Sequence, residues 1–283
     1  MPNILIDNNK CTLCGTCTEI CGAKTLEIIN AKLVQTHSSL CCMCGHCAAI
    51  CPQNAIEANS ENFRNFKVKN IDNNSTEVEK LLIGKRSVRE FKKNEIEKNI
   101  LEKLIYFAEK APSSSNQRKR EYIIITDKNK ILDLEKTVLK KFNALNIILK
   151  PFIIKAISVF SKNMASYLSL VWDDIKKMNE DFEKGEFPIF RNAPCVVCFV
   201  APKNAVQAKD DCVIAQQYMM LYAQSLGIGS CIIGYAQYAH KAVEKNLNIS
   251  KNKKIYAVAI FGYSKFKYKK EIEFLNKPKT TWF

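Results

Sequence analysis

No run of about 18 or more apolar residues occurs in the 283-residue chain, which excludes a membrane-spanning helix. The most apolar stretch, Phe142 to Val171, is interrupted by Lys150, Pro151, Lys155 and Lys162. Histidine is scarce: of the three, His37 and His240 have no partner constellation, so no Ser-His-Asp or Cys-His catalyst can be built around them. The start, PNILIDNNK, lacks the charged segment, apolar core and cleavage site of a secretory signal, which points to the cytoplasm and away from a disulfide framework. A dinucleotide fingerprint is missing too. Gly227 and Gly229 are followed by Ile232 where a third glycine belongs, and no acidic residue waits about 20 positions on after a further strand. Acidic residues are few beside basic ones, 28 against 43, for a net charge of +15. That excess raises the question of nucleic acid. The lysines are spread through helices and loops with no helix-turn-helix, zinc-finger or RNP pattern, so they read as a solvated surface and no nucleic-acid partner is expected.

Cysteine is what the chain has in quantity, 13 in all. Cys11, Cys14, Cys17 and Cys21 recur 30 positions later as Cys41, Cys44, Cys47 and Cys51, writing C-x2-C-x2-C-x3-C twice. Three thiolates at steps of three and a fourth at a step of four overfill a tetrahedral zinc site but match iron-sulfur ligation. The repeat continues past the cysteines, Thr25-Leu26-Glu27-Ile28 aligning with Ala55-Ile56-Glu57-Ala58, so two pseudo-symmetric halves are expected. Residues 1–60 resemble a bacterial-type ferredoxin with two 4Fe-4S clusters. The resemblance implies crossed ligation: Cys11, Cys14, Cys17 and Cys51 for one cluster, Cys41, Cys44, Cys47 and Cys21 for the other. Gly22 departs from the pattern, standing where Pro52 stands in the second repeat. Cys42 is off the ligand frame and reads as packing, as does His46 between Cys44 and Cys47.

Past residue 60 the character changes. Residues 1–60 carry a net charge of −1 and the remainder +16. Residues 61–80 are polar and Asn-rich, as in a linker, and 81–283 suffice for one further domain. There Glu95 to Lys110 has helical spacing, Tyr122 to Thr126 and Cys195 to Val200 read as buried strands, Asp211 to Leu226 as a helix, and Ile255 to Phe261 as a last strand. The fold class is α+β: a ferredoxin-like module, then a sandwich with a central sheet flanked by helices. On a strand Cys195 and Cys198 point to opposite faces and cannot share a metal. Cys212 and Cys231 likewise read as buried packing residues.

Four segments in order, Lys85-Arg86-Ser87-Val88-Arg89-Glu90-Phe91, Ala111-Pro112-Ser113-Ser114-Ser115-Asn116, Leu226 to Gly234, and Phe261-Gly262-Tyr263, are similar to those of FMN-dependent nitroreductases. The resemblance covers 81–283 and implies an FMN site, in which the flavin's N1/O2 edge becomes negative on reduction. By position Lys85 would meet the phosphate, Arg86 and Ser87 the phosphate and ribityl chain, and Arg89 the N1/O2 edge. Pro112, Ser113, Ser114 and Asn116 would line the ring, and Ile233-Gly234 would lie near N5. Gly227 and Gly229 would admit backbone to the flavin, or serve as helix cap and turn. Lys267, Lys269 and Lys270 fall where the family places another phosphate cation. Arg118, Lys119 and Arg120 replace the family's Gln and Pro-Trp, leaving their contacts open. Residues 128–190 form a helical insertion, read as dimer core, as a lid, or as a basic amphipathic membrane surface.

Together the two resemblances imply a homodimeric oxidoreductase in which clusters deliver single electrons and FMN reduces a nitroaromatic, quinone, enone or flavin. The donor would be a ferredoxin, an enzyme that reduces ferredoxin, or NAD(P)H. No side chain stands out as general acid, so the flavin N5 is the expected reactive atom. A carrier or sensor relaying electrons to a partner protein is the alternative.

Overall fold

The computed structural model describes residues 3–41, 43–59, 66–70, 76–148, 151–268, 270–274 and 278–283. Cys42 and Lys269 lie outside the described residues, as do the linker positions 61–65 and 71–75. The chain divides into two units, Met1–Lys85 with Phe266–Phe283, and Arg86–Lys265. This differs from boundaries at 60 and 80. Within the expected linker lies strand β5 (Phe66–Asn70), which pairs antiparallel with the C-terminal strand β10 (Lys270–Phe274). The register sets Phe66 opposite Phe274 and Val68 opposite Ile272, so apolar positions of two alternating segments meet.

In the first unit, β1 (Asn3–Ile6) pairs with β4 (Ile56–Asn59), and β2 (Leu26–Ile29) with β3 (Lys32–Gln35), both antiparallel. Helices α1 (Thr16–Ile20) and α2 (His46–Ile50) follow the two cysteine loops. The repeat is visible in the backbone itself. Leu13 and Met43 have φ of 56° and 53°, Gly15 and Gly45 73° and 72°, and Lys24 and Asn54 both 51°. The second half of each loop thus turns alike, and Gly22 in place of proline leaves that shape intact. Ile4, Leu26, Leu33, Met43 and Ile56 form the core, with Cys17 among them. Helix α3 (Glu77–Gly84) starts at a capping box: Thr76 Oγ1 accepts from Glu79 N, and Glu79 Oε2 accepts from Thr76 N.

The second unit is built on an antiparallel sheet. Its strands are β6 (Glu121–Ile125), β7 (Cys195–Pro202), β8 (Ile228–Ile232) and β9 (Lys253–Tyr263), in the order β6-β7-β9-β8. Around it lie α4 (Lys98–Ala108), α5 (Lys128–Ile148), α6 (Pro151–Phe160), α7 (Lys162–Glu183), α8 (Ala208–Ser225), α9 (Gly234–Tyr238) and α10 (His240–Asn246). Alternation along β7 sorts the core into two layers. Cys195, Val197 and Phe199 pack with Leu104 of α4 and Met219 of α8, whereas Val196, Cys198 and Val200 pack with Leu134 of α5 and Ile175 of α7. The two thiols therefore do face opposite sides, and burial pushes both up to about 12. Both long helices of the insertion contribute core residues to their own unit. Strand β8 was not anticipated; its Ile-Gly-Ser-Cys-Ile gains strand form by lying along β9, from Ile228 opposite Tyr263 to Ile232 opposite Ala259.

Candidate functional site

The cysteine loops bring thiols together across the repeats. Cys11, Cys14, Cys17 and Cys51 line one recess of about 390 Å³, counting the space open to solvent. Burial pushes the Cys17 thiol up to about 11, and Cys11, Cys14 and Cys51 add to the shift. Burial pushes Cys47 up to about 12, helped by Cys21 and Cys41. Cys14, which is exposed, is lowered by hydrogen bonding to Thr16. The backbone N–H of Thr25 donates to Cys21 Sγ and that of Ala55 to Cys51 Sγ, both at 3.3 Å. Among the described residues no three His, Cys, Asp or Glu converge as they would on a single ion. Thiolates on separate irons of a cluster stand further apart than thiolates on one ion, and such a cluster supplies the positive charge that grouped, buried thiolates need. The donor set fits 4Fe-4S.

In the second unit the basic turn runs along the sheet. Val88 N donates to Ser230 O at 3.0 Å, Lys92 N to Tyr263 O at 2.8 Å, and Lys265 N to Glu90 O at 3.0 Å. The turn comes so close that a Cβ on Gly229 would meet the Val88 side chain at 2.7 Å. Gly229 therefore serves the docking of this turn, and Gly227, at φ 73°, ends α8 with its N–H on Gln224 O. At Gly234, as at Gly227, nothing lies within 4 Å of a Cβ built there.

Arg89 donates one long hydrogen bond, 3.4 Å from Nη1 to the Ser87 carbonyl. Burial lowers the pKa of Arg191, and the charge of Arg89 lowers it further, with Cys231, Glu90 and Glu135 partly compensating. The Arg89 charge thus weakens the charged state of Arg191, an arrangement that an anionic group would relieve. Arg191 has φ 55° and Asn192 φ 52°, and no sequence pattern marked either. Beside Gly234, Tyr235 donates to Asp174 of α7 and sets its ring edge-on to Phe142 of α5. Both long insertion helices therefore hold the residue after the open glycine.

The segment from Pro112 to Asn116 is fixed from three sides. Ser114 N donates to Asp211 Oδ1 at 2.9 Å, and Arg118 N to Ser113 Oγ at 3.0 Å. Arg120, its side chain fully buried, gives Nη1 to the Pro112 carbonyl and Nη2 to the Ala111 and Glu109 carbonyls. Of the replaced Gln and Pro-Trp positions, Arg120 thus turns inward as a clamp. Asp211 and Arg120 were both missed as site-shaping residues, and the Asn116 side chain lies outside the described set. Lys85 and Lys267 belong to the first unit, where Lys267 is exposed. Lys270 also belongs there, and its ammonium donates to Cys51 O and Asn54 Oδ1.

Glu135, wholly buried on α5, accepts from Ile189 N at 2.8 Å and Phe190 N at 2.9 Å. Burial raises its pKa from 4.5 to about 7 against the pull of those two donors. The folded state therefore holds a proton that the unfolded state releases, so stability is full below about 4.5 and falls as pH rises to about 7. Thermal melts from pH 4.5 to 8 should show this decline, and Glu135→Gln should flatten it.

A model of the nitroreductase family matches residues 82–263, and one of the 4Fe-4S dicluster domain matches residues 3–52. A protein of Archaeoglobus fulgidus, provisionally named NADH dehydrogenase/NAD(P)H nitroreductase, is 25% identical over 192 residues, covering 66% of this chain and 84% of its own. Among solved structures, a nitroreductase with bound FMN from Desulfitobacterium hafniense aligns with a TM-score of 0.53 at 20% identity, over 74% of this chain and 99% of that one. An FMN-dependent nitroreductase from Mycobacterium smegmatis, in complex with NADPH, aligns at 0.51 and 21%, over 66% and 87%. These two establish the fold of the second unit. The chain belongs to the nitroreductase family of oxidoreductases and carries a 4Fe-4S dicluster domain ahead of its nitroreductase domain.

Proposed function

We propose that the chain binds two 4Fe-4S clusters and one FMN and reduces a small organic acceptor: a nitroaromatic, quinone, enone or flavin. The carrying observation is Arg89, a cation with one long hydrogen bond whose charge disfavours that of Arg191. The FMN assignment rests on residues of the second unit, Arg86, Ser87, Arg89, Pro112, Ser113, Ser114, Asn116, Ile233 and Gly234. Bound FMN would supply the conversion of single electrons into two-electron reduction. The chain's own groups do the rest: the guanidinium of Arg89 offers fixed positive charge to an anionic ring edge, and the open face of Gly234 leaves room for a flat ligand. The relatives named for FMN and NADPH support flavin binding and leave NAD(P)H in place as donor beside a ferredoxin-type protein. A homodimer belongs to the same reading, supported by exposed Tyr106 on α4 and Tyr218 on α8.

Anaerobic purification followed by iron, sulfide and flavin analysis tests the proposal, with about eight iron and one FMN per chain expected. Arg89→Ala should lower FMN content and slow flavin reduction by roughly 10- to 100-fold, as loss of one charge-assisted contact of about 1.5–3 kcal/mol implies. Wild-type flavin content and reduction rates in that variant would remove Arg89 from the site.

A further inference from the structure

The loop that leads into β7 brings a second arginine to the basic turn. Its backbone is held from two directions, Ile189 N and Phe190 N donating to Glu135 and Arg191 N to Phe187 O at 2.8 Å. Arg191 and Asn192 then stand in succession in the left-handed region, φ 55° and 52°, a strained geometry for residues with side chains. Loop and turn meet over the sheet. A Cβ on Gly262 would touch Pro194 Cδ at 2.6 Å and Phe91 Cδ1 at 2.7 Å, and Ser87 bridges to Ser230, the neighbour of Cys231. Arg191 is thereby set among Arg89, Glu90, Cys231 and Glu135, and its charge also reaches Asp174, which accepts from the Tyr235 hydroxyl. Three carboxylates lend it charge at a distance, and none pairs with it. Glu135 is turned to two backbone N–H groups and Asp174 to Tyr235, and among the described residues the Arg191 guanidinium makes no hydrogen bond and no ion pair.

We infer that Arg191 is a specificity-determining residue of the acceptor pocket, its planar fork taking, beside Arg89, a carboxylate carried by the acceptor. The inference rests on the proposed FMN reading, in which Arg86, Ser87 and Arg89 already serve the cofactor. An oxyanion of the flavin is the other source of the same chemistry. Position favours the acceptor, because Arg191 comes from the segment anchored by α5 and its charge acts on Asp174, the partner of Tyr235, which directly follows Gly234. That is the side on which the reactive N5 would lie. A guanidinium offers a carboxylate two parallel N–H donors, and such charge-assisted pairs are about twice as strong as neutral ones. Among nitroaromatic, quinone, enone and flavin acceptors, the acid-bearing members should therefore be favoured.

Matched acid and amide probes test this on the full-length flavoprotein. Benzoate, which has no group for the flavin to reduce, should bind at least about 10-fold more tightly than benzamide by calorimetry, as one charge-assisted contact implies. The same preference should appear in kcat/KM for 4-nitrobenzoate over 4-nitrobenzamide, carried by KM. Arg191→Gln should erase both preferences while FMN stays bound, and Arg191→Lys should restore part of them. Equal binding of benzoate and benzamide by wild type overturns the inference, whatever the variants do. A preference that survives in Arg191→Gln overturns it too, and loss of FMN from that variant assigns the arginine to the cofactor instead. Wild-type protein that binds no FMN would refute the underlying flavin reading.

Discussion

Cys14→Ala combined with Cys51→Ala should leave one intact 4Fe-4S centre, whereas Cys14→Ala combined with Cys21→Ala should leave none. The asymmetry follows from the crossing of the repeats. Cys51 shares a recess with Cys11, Cys14 and Cys17, while Cys21 and Cys41 are the first two thiols to act on Cys47. Two substitutions in one set damage one centre, and a second lesion there adds nothing further. One substitution in each set damages both. Low-temperature EPR of the reduced protein, with iron and sulfide per chain, reads the difference, and the reverse pattern would mean that each repeat ligates its own cluster. Stability should follow the same pairing. The first unit's core rests on a handful of side chains such as Ile4, Leu26, Leu33, Met43 and Ile56, and small units of this kind depend on a metal centre for much of their folding energy. The variant with no centre should therefore lose the first unit's thermal transition, while the variant with one keeps a weakened form of it.

Local chemistry was legible in the sequence and long-range pairing was not. The eight cysteines announce themselves by spacing, because one tight loop must present three thiolates. The thirty-residue repeat predicted the halves that reappear in the backbone angles of Leu13 and Met43. Strand β7 was readable since both its faces are buried, which demands an unbroken apolar run from Cys195. By contrast β5 and β10 are short alternating segments, each without a neighbour in sequence, and only their meeting reveals either as a strand. That is why a segment read as linker, and lysines read as phosphate ligands, belong to the first unit. Strand β8 was hidden by glycine, whose ordinary message is a turn; here Gly229 answers the close approach of Val88 instead. Arg191 and Asp211 escaped notice because a charged residue in a sequence is a surface residue by default, and nothing local says that the fold will bury it.

Arg120 makes the same point with a larger energy attached, and Arg120→Met should destabilise the second unit by about 3–5 kcal/mol, the range for breaking a buried charged pair. Methionine retains much of the volume, so the loss isolates the bonds. Those are Nε to Glu109 Oε1 at 3.1 Å, Nη1 to Pro112 O at 3.0 Å, and Nη2 to Glu109 O at 3.2 Å and Ala111 O at 2.6 Å. Three carbonyls at the end of α4 and the start of the Pro112 loop depend on this one planar group. Glu109, a third exposed, would keep water and its bond from Tyr122, so the greater part of the cost falls on the backbone. Lysine should rescue little, because a single ammonium cannot reproduce a fork aimed in four directions. At roughly 2–4 °C per kcal/mol for a unit of this size, the melting temperature of the second unit should fall by about 6–20 °C. The functional consequence follows from what the clamp holds. Ser113 and Ser114 keep their positions through Arg118 N and Asp211, and both bonds presuppose the turn that Arg120 fixes. Flavin retention should therefore weaken in Arg120→Met at temperatures well below its unfolding. If calorimetry placed that variant within about 1 kcal/mol of wild type, the loop would owe its shape to the bonds from Arg118 N and to Asp211, and Asp211→Ala would become the variant that loses FMN.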